Sequence, residues 1–541
     1  MEKKFVKIAV GIAICFLCIF LLTGCAKQEA ETQVTDSMFT DNDMEIGYDE
    51  ETATKITLTG DSAESDSDAV TISGSVVTIS EEGTYILSGT LNDGMVIVDA
   101  GDEDKLRIVL DDASITSQTS AALYVRNADK VFVTTATDSH NSLVSAGEYV
   151  AIDDNDIDAA VFAKSDLTLN GAGQLTITSA AGHGVVSKDD LVLTGGDYSI
   201  TAASQGLSGE DSVRIANGQY SIEAGNDGIH AENDADAEPA FIYVAGGTLS
   251  ITSTDDGVNS NGDITIKGGA FEIESGDDGI HADDAVVIDD GEITVTNSYE
   301  GIEGLSVDIN DGVIDITASD DGLNAAGGTD ESGFTSGFGS MGGEEFAATE
   351  GAYIKITGGE TNINASGDGI DSNGDLYVTG GETYVSGPVD SANGTFDYNG
   401  EASISGGIFV AAGPTEMAQN FGESSTQGSM LVSINGSAQS TITLTDADGN
   451  QLVSWEADKA YSSVVISCPD ITEGETYTVA GGSSTVQVTM DSLIYGASGG
   501  MGGQGGGMAG GPGMSSPPDG QGGKPQGWFN RLTCRVSEVI Y

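Results

Sequence analysis

Residues 277–284 read DDGIHADD and place four aspartates and a histidine around one glycine. Related turns stand at 226–233 (NDGIHAEN), 255–262 (DDGVNSNG), 320–327 (DDGLNAAG) and 367–374 (GDGIDSNG). Asp and Asn side chains, with backbone carbonyls, make the hard oxygen shell that Ca²⁺ takes, typically about 6–8 ligands. Asp and Asn are also common turn formers beside glycine. Which of these accounts for the recurrence depends on how the turns are arranged in space.

The glycines set that arrangement. Gly184, Gly206, Gly228, Gly257, Gly279, Gly301, Gly322 and Gly369 are separated by 22, 22, 29, 22, 22, 21 and 47 residues. The two long intervals hold insertions, within 231–240 and around 327–350. A second turn keeps step, at Asn217-Gly218, Gly246-Gly247, Gly268-Gly269, Asp290-Gly291 and Asp311-Gly312 among others. A fixed period of this kind means a solenoid. Between the turns apolar residues alternate, as in Ile264/Ile266, Phe271/Ile273 and Val286/Ile288. Period two with β-branched residues is strand, not helix. Short strands separated by glycine corners describe a right-handed parallel β-helix of about 22 residues per coil. The β-helix is expected over 55–427, with 55–83 capping its first coil. Residues 428–495 read as a small, separate all-β cap or sandwich, and 496–541 as a Gly/Met/Pro-rich disordered tail.

Stacking such coils brings equivalent residues to about 4.8 Å from one another. The residue before each glycine then forms one column: Asp227, Asp256, Asp278, Glu300, Asp321 and Asp368. The residue two after it forms a second: His230, Asn259, His281, Glu303, Asn324 and Asp371. A third carries Asn226, Asp255, Asp277 and Asp320. Two unit charges at that spacing repel by about 3 kcal/mol at an effective dielectric near 20. Either the carboxylates hold protons or cations sit between them. The candidate calcium ligands are therefore Asp227, Asp255, Asp256, Asp277, Asp278, Glu300, Asp320, Asp321, Asp368 and Asp371, together with Asn259 and Asn324. His230 and His281 bring zinc to mind. Because Asn shares their column, a solvent-facing polar column is the expectation there.

Tyr198, Tyr220 and Phe271 occupy one equivalent position whose alternation points inward, so they are expected in the core rather than under a sugar ring. Catalysis is not expected. A lyase of this fold class needs a cationic base beside its metal. Between residues 150 and 413 the cations are Lys164, Lys188, Arg214, Lys267 and Lys355, none of them in the acidic columns. A hydrolase would need paired carboxylates, and acids are too common here for a pair to carry meaning. Gly182-His183-Gly184 resembles the GHG of polygalacturonases, but the Arg-x-Lys that should follow is missing.

The ends give an address. Lys3, Lys4 and Lys7 precede an apolar run from Ile8 to Leu22, the length of a signal-peptide core rather than a membrane span. Leu22-Thr23-Gly24-Cys25 resembles a bacterial lipobox, which implies a signal peptide over 1–24 and a lipid on Cys25. Residues 25–54 read as an acidic tether, and Cys468 and Cys534 remain for pairing. The expected location is the extracellular face of the cell membrane, held by the N-terminal lipid only. A net charge of −68 repels nucleic acid and anionic membranes and attracts cations.

The run 83–134, followed by DDGIHA-type coils and a Gly-rich tail, resembles the carbohydrate-binding lipoproteins of Gram-positive bacteria. The resemblance covers most of 55–490. It implies a pectate-lyase-like β-helix without lyase activity, bound calcium, and cellulose or acidic pectic polysaccharide as partner. Two alternatives stay open: a polysaccharide lyase or hydrolase of the β-helix class, and a structural surface adhesin.

Overall fold

The computed structural model describes residues 37–233, 239–326, 348–390 and 393–496. The expected signal segment, Cys25, the Gly-rich tail and Cys534 lie outside the described residues. Cys468 is buried and free.

Three short strands recur in each coil, and each pairs in parallel with its equivalent one coil on. One coil runs Asp190–Leu193, Asp197–Ala202 and Leu207–Gly209, and the next Ser212–Ile215, Gln219–Ala224 and Ile229–Ala231. The registers line up aliphatic residues into ladders. Leu207, Ile229, Val258, Ile280, Ile302, Leu323 and Ile370 form one. Ile200, Ile222, Ile251, Ile273, Val295, Ile316 and Ile363 form another. All lie in one continuous core. The chain is thus a parallel β-helix with a filled interior. Tyr198, Tyr220 and Phe271 are buried in it, as their phase predicts. The two tyrosine rings stack at 5.3 Å, and their hydroxyls donate to the Gly195 and Asn217 carbonyls.

The two sets of glycines serve different ends. Gly218 and its equivalents take positive φ, 134° at Gly218, where a side chain would be strained. The acidic-turn glycines do not. A Cβ on Gly257 would stand 2.5 Å from the Gly279 carbonyl oxygen of the next coil. Close stacking, not backbone conformation, demands glycine there.

Two expectations need correction. The acidic tether does not run free to residue 54. A one-turn helix, Asp41–Met44, is capped by Thr40 and docks on the flank of the coils. Asp43 is 2% exposed; Lys130 Nζ lies 2.9 Å from its carboxylate, and Thr168 Oγ1 donates to it at 2.6 Å. Asn170 and Thr194 donate to the Asp43 carbonyl, Arg214 donates to the Met38 carbonyl, and Phe39 lies against Tyr243. Composition signalled a solvated linker; a single buried ion pair and its hydrogen bonds override it. Nor is 428–495 separate. The last β-helix strand, Ile408–Gly413, pairs antiparallel with Tyr461–Ser467, which pairs with Ser429–Gly436. A four-stranded sheet of Ser440–Thr445, Gln451–Ala457, Thr476–Gly481 and Ser484–Thr489 packs on this extension. Val410, Met430, Ile442, Ile466 and Val479 share the intervening core. The end of the solenoid is covered by a sandwich that grows out of its own sheet.

Candidate functional site: a buried polar stripe and the cleft at its end

The predicted columns form. His230, Asn259, His281, Glu303, Asn324 and Asp371 are successive register partners. The column before the glycines runs beside it. Its acids act as a ladder: Asp227 Oδ1 accepts the Asp256 N–H at 3.3 Å and Asp256 Oδ1 the Asp278 N–H at 2.8 Å. Asp278 Oδ1 accepts the Glu300 N–H at 3.2 Å, and Asp321 Oδ1 the Asp368 N–H at 2.5 Å. Asp368 in turn accepts from Gly394. Each carboxylate satisfies a backbone donor that the tight turn leaves over. Part of the recurrence is therefore structural.

The second carboxylate oxygen faces the neighbouring column. Asn259 Nδ2 donates to Asp256 Oδ2 at 2.6 Å, and His281 Nδ1 lies 3.1 Å from Asp278 Oδ2. His230 Nδ1 stands 2.8 Å from Asp227 Oδ2, and Asn324 Nδ2 donates to Glu300 Oε2 at 2.5 Å. The expectation of a solvent-facing column fails along its middle, while His230, Asn259 and Asp371 are half-buried. His281 is 3% exposed, and Glu303 and Asn324 each 6%. Strand phase restarts after the glycine and turns these side chains against the acids.

Burial sets the electrostatics. It pushes the Asp256 and Glu300 carboxyls up to about 8, helped in both by the charge of Asp278. Burial and Asp368 lift Asp321 to about 9, and burial and Glu300 lift Glu303 to about 10. Asp368 rises to about 7 and Asp371 to about 6, again through burial first and neighbouring carboxylates second. Burial works against the His281 imidazolium. The hydrogen bond to Asp278 and the charges of Glu303, Asp278 and Asp256 outweigh it and raise His281 to about 10.

Three groups among the described residues bring ligand atoms together. Asp255, Asp256 and Asp277 offer carboxylate oxygens within 4.8 Å of one another, as do Asp166, Asp189 and Asp190. Asp278, His281 and Glu303 form the third, which is buried and includes an imidazole. A fourth location differs in kind. Asn324 lies in register between Glu303 and Asp371, and its buried Oδ1 has no hydrogen-bond partner. An orphaned acceptor among carboxylates is short of a positive partner. Asp320 lies beside this group, one residue before Asp321.

Toward the N-terminus the acids give way and the stripe opens into a cleft of about 370 Å³. Its floor continues both columns, with His183 and Gln205 in one and Val186, Ser208 and His230 in the other. Asp158, Lys188, Glu210 and Glu232 form its walls. Gln205 N–H donates to His183 Nδ1 at 3.3 Å, so the ladder starts here without an acid. The sequence search, keyed on aspartate, passed over this end. The GHG at 182–184 and the glycine register were the available signals.

A family model described as "Carbohydrate-binding domain-containing protein" matches residues 73–322 and 275–509. A curated protein of the same description from Acetivibrio thermocellus is 32% identical over 194 residues, 35% of this chain. The match spans 64% of that relative's length. A solved structure described as a polysaccharide lyase-like protein from C. thermocellum, in its gadolinium derivative, is 33% identical. It covers 44% of this chain and 96% of its own, with a TM-score of 0.43. With the matched regions together spanning residues 73–509, the chain belongs to the family of carbohydrate-binding domain-containing proteins.

Proposed function

We propose that this protein is a non-catalytic polysaccharide binder, held at the outer face of the cell membrane by a lipid on Cys25, whose acidic stripe carries Ca²⁺. The observation that carries the calcium reading is the orphaned Asn324 Oδ1 amid buried carboxylates. Asp321, Asn324, Asp368 and Asp371, with Glu303, would hold one ion, and Asp255, Asp256 and Asp277 another. Buried ions would neutralise the stripe; the Asp255 and Asp277 edge is where an ion would also reach the carboxylate of an acidic glycan such as polygalacturonate. The non-catalytic reading is supported by the family and by the cleft's one lysine. Lys188 Nζ lies 3.7 Å from Glu210 Oε2 and is not placed as a free base.

The test is retention of the full chain, in a detergent without sugar, on insoluble polygalacturonate and cellulose. Retention on polygalacturonate that a chelator abolishes supports calcium-bridged binding. Release of unsaturated oligosaccharides would restore the lyase reading. Failure to bind either polymer in calcium would turn attention to protein partners of a surface adhesin.

A further inference from the structure

We propose that the cleft between Asp158 and Glu232 is the subsite for a neutral pyranose unit, and that it reads the sugar through hydroxyl hydrogen bonds without a metal ion. This rests on the glycan-binding reading above and gives it a place on the molecule.

The cleft has the size of a small-ligand site, about 370 Å³ against the roughly 300–1,000 Å³ usual for such pockets. Its lining offers donors and acceptors in close array: the Gln205 amide, the Ser208 hydroxyl and the imidazoles of His183 and His230. Its basic side chains are already engaged. His183 Nε2 lies 3.6 Å from Asp158 Oδ2, and His230 stands between Asp227 at 2.8 Å and Glu232 at 3.2 Å. Lys188 faces Glu210. A uronate entering here would meet Asp158, Glu210 and Glu232 with no cation left to receive it. A neutral sugar meets no such barrier.

The Asp158 carboxylate offers an acceptor to a hydroxyl. Oδ1 is enclosed without a hydrogen-bond partner, while Oδ2, 3.6 Å from His183 Nε2 in a side chain 44% exposed, stays open to a sugar O–H. Val186 is the one apolar residue of the lining, and behind it Tyr149 and Ile157, on the loop that carries Asp158, pack with Tyr124 and Phe162. A lining this polar suits the hydroxyl edge of a ring.

Calorimetry on the full chain in a sugar-free detergent tests this, using cellotetraose, xylotetraose, mannotetraose and tetragalacturonate as probes, in calcium and in chelator. The expected result is that at least one neutral tetraose binds equally in both. Gln205→Ala should weaken it by about tenfold. Ser208→Trp, which fills the cleft, should abolish it. Retention of both variants on polygalacturonate in calcium should stay as in the parent, which also shows that they fold. Neutral-sugar binding that survives in both folded variants, or that needs calcium, would overturn the cleft assignment alone. Binding of tetragalacturonate in competition with the neutral probe would overturn its ligand class. A parent chain that binds no probe and neither polymer would overturn the cleft and the glycan-binding reading together.

Discussion

Asp256 and Asp278 sit one coil apart, and the carboxylate of the first accepts the backbone N–H of the second at 2.8 Å. The same carboxylate takes the Asn259 amide on its other oxygen. One side chain thus ties two coils and two columns. Asp256→Ala leaves both donors buried without an acceptor and should cost about 1–3 kcal/mol. Asp256→Asn keeps the acceptor for Asp278 N–H but turns an amide NH₂ toward the Asn259 donor. In chelator it should cost less than Asp256→Ala by urea denaturation. In calcium it should lose part of the ion's stabilisation, and an equal gain of both proteins from calcium would remove Asp256 from the ligand set.

The stripe also fixes a pH dependence. Asp256, Glu300 and Asp321 titrate at about 8 to 9 in the folded chain against ordinary values of 3.8 to 4.5. Above the ordinary value the unfolded chain releases these protons and the folded chain keeps them. Their contribution is full at low pH and is lost as pH rises through the folded values. His281, lifted from 6.5 to about 10, acts in the same direction. In chelator the melting temperature should fall from about pH 5 to about pH 9. Calcium should flatten that slope. A chelated melting temperature that climbs over this range would show that the stripe is ionised and solvated.

Asp43→Ala leaves Lys130 buried without its closest partner. Removing one member of a buried ion pair typically costs about 3–5 kcal/mol. Limited proteolysis should then cut near residue 46 faster than in the parent. The double variant Asp43→Ala with Lys130→Met should recover part of the stability but not the protection.

Gly257→Ala puts a methyl 2.5 Å from both the Gly279 carbonyl and Ile273 Cγ2. Overpacking of this kind costs about 1–3 kcal/mol, so in a chain of this size its melting temperature should drop by about 1–3 °C. Gly268→Ala, one turn further along, meets nothing closer than 3.5 Å. It should melt with the parent, and because neither glycine takes positive φ the pair isolates the steric demand.

The β-helix was legible because one glycine per coil marks its period and alternation marks the strands between. The acid columns followed from register alone. Their burial did not, since Asp and Glu are rarely enclosed and composition argues for water. His281 reads as exposed because Asn shares its column. The docked helix left no periodic trace. Its Asp43–Thr168 hydrogen bond joins residues 125 apart. Asp158 reaches the cleft from a loop outside the repeat, so no column predicts it.

The contacts of 38–45 run across five successive strands of one sheet, from Lys130 through Thr168, Thr194 and Arg214 to Tyr243. This has a mechanical consequence. A pull on the chain ahead of Phe39 loads the flank of the stack in shear, shared over several rungs. It does not peel the first rung, Thr54–Gly60, which would otherwise unzip one hydrogen bond at a time. Whatever the protein grips, tension is borne by the middle of the solenoid and its weakest edge is spared.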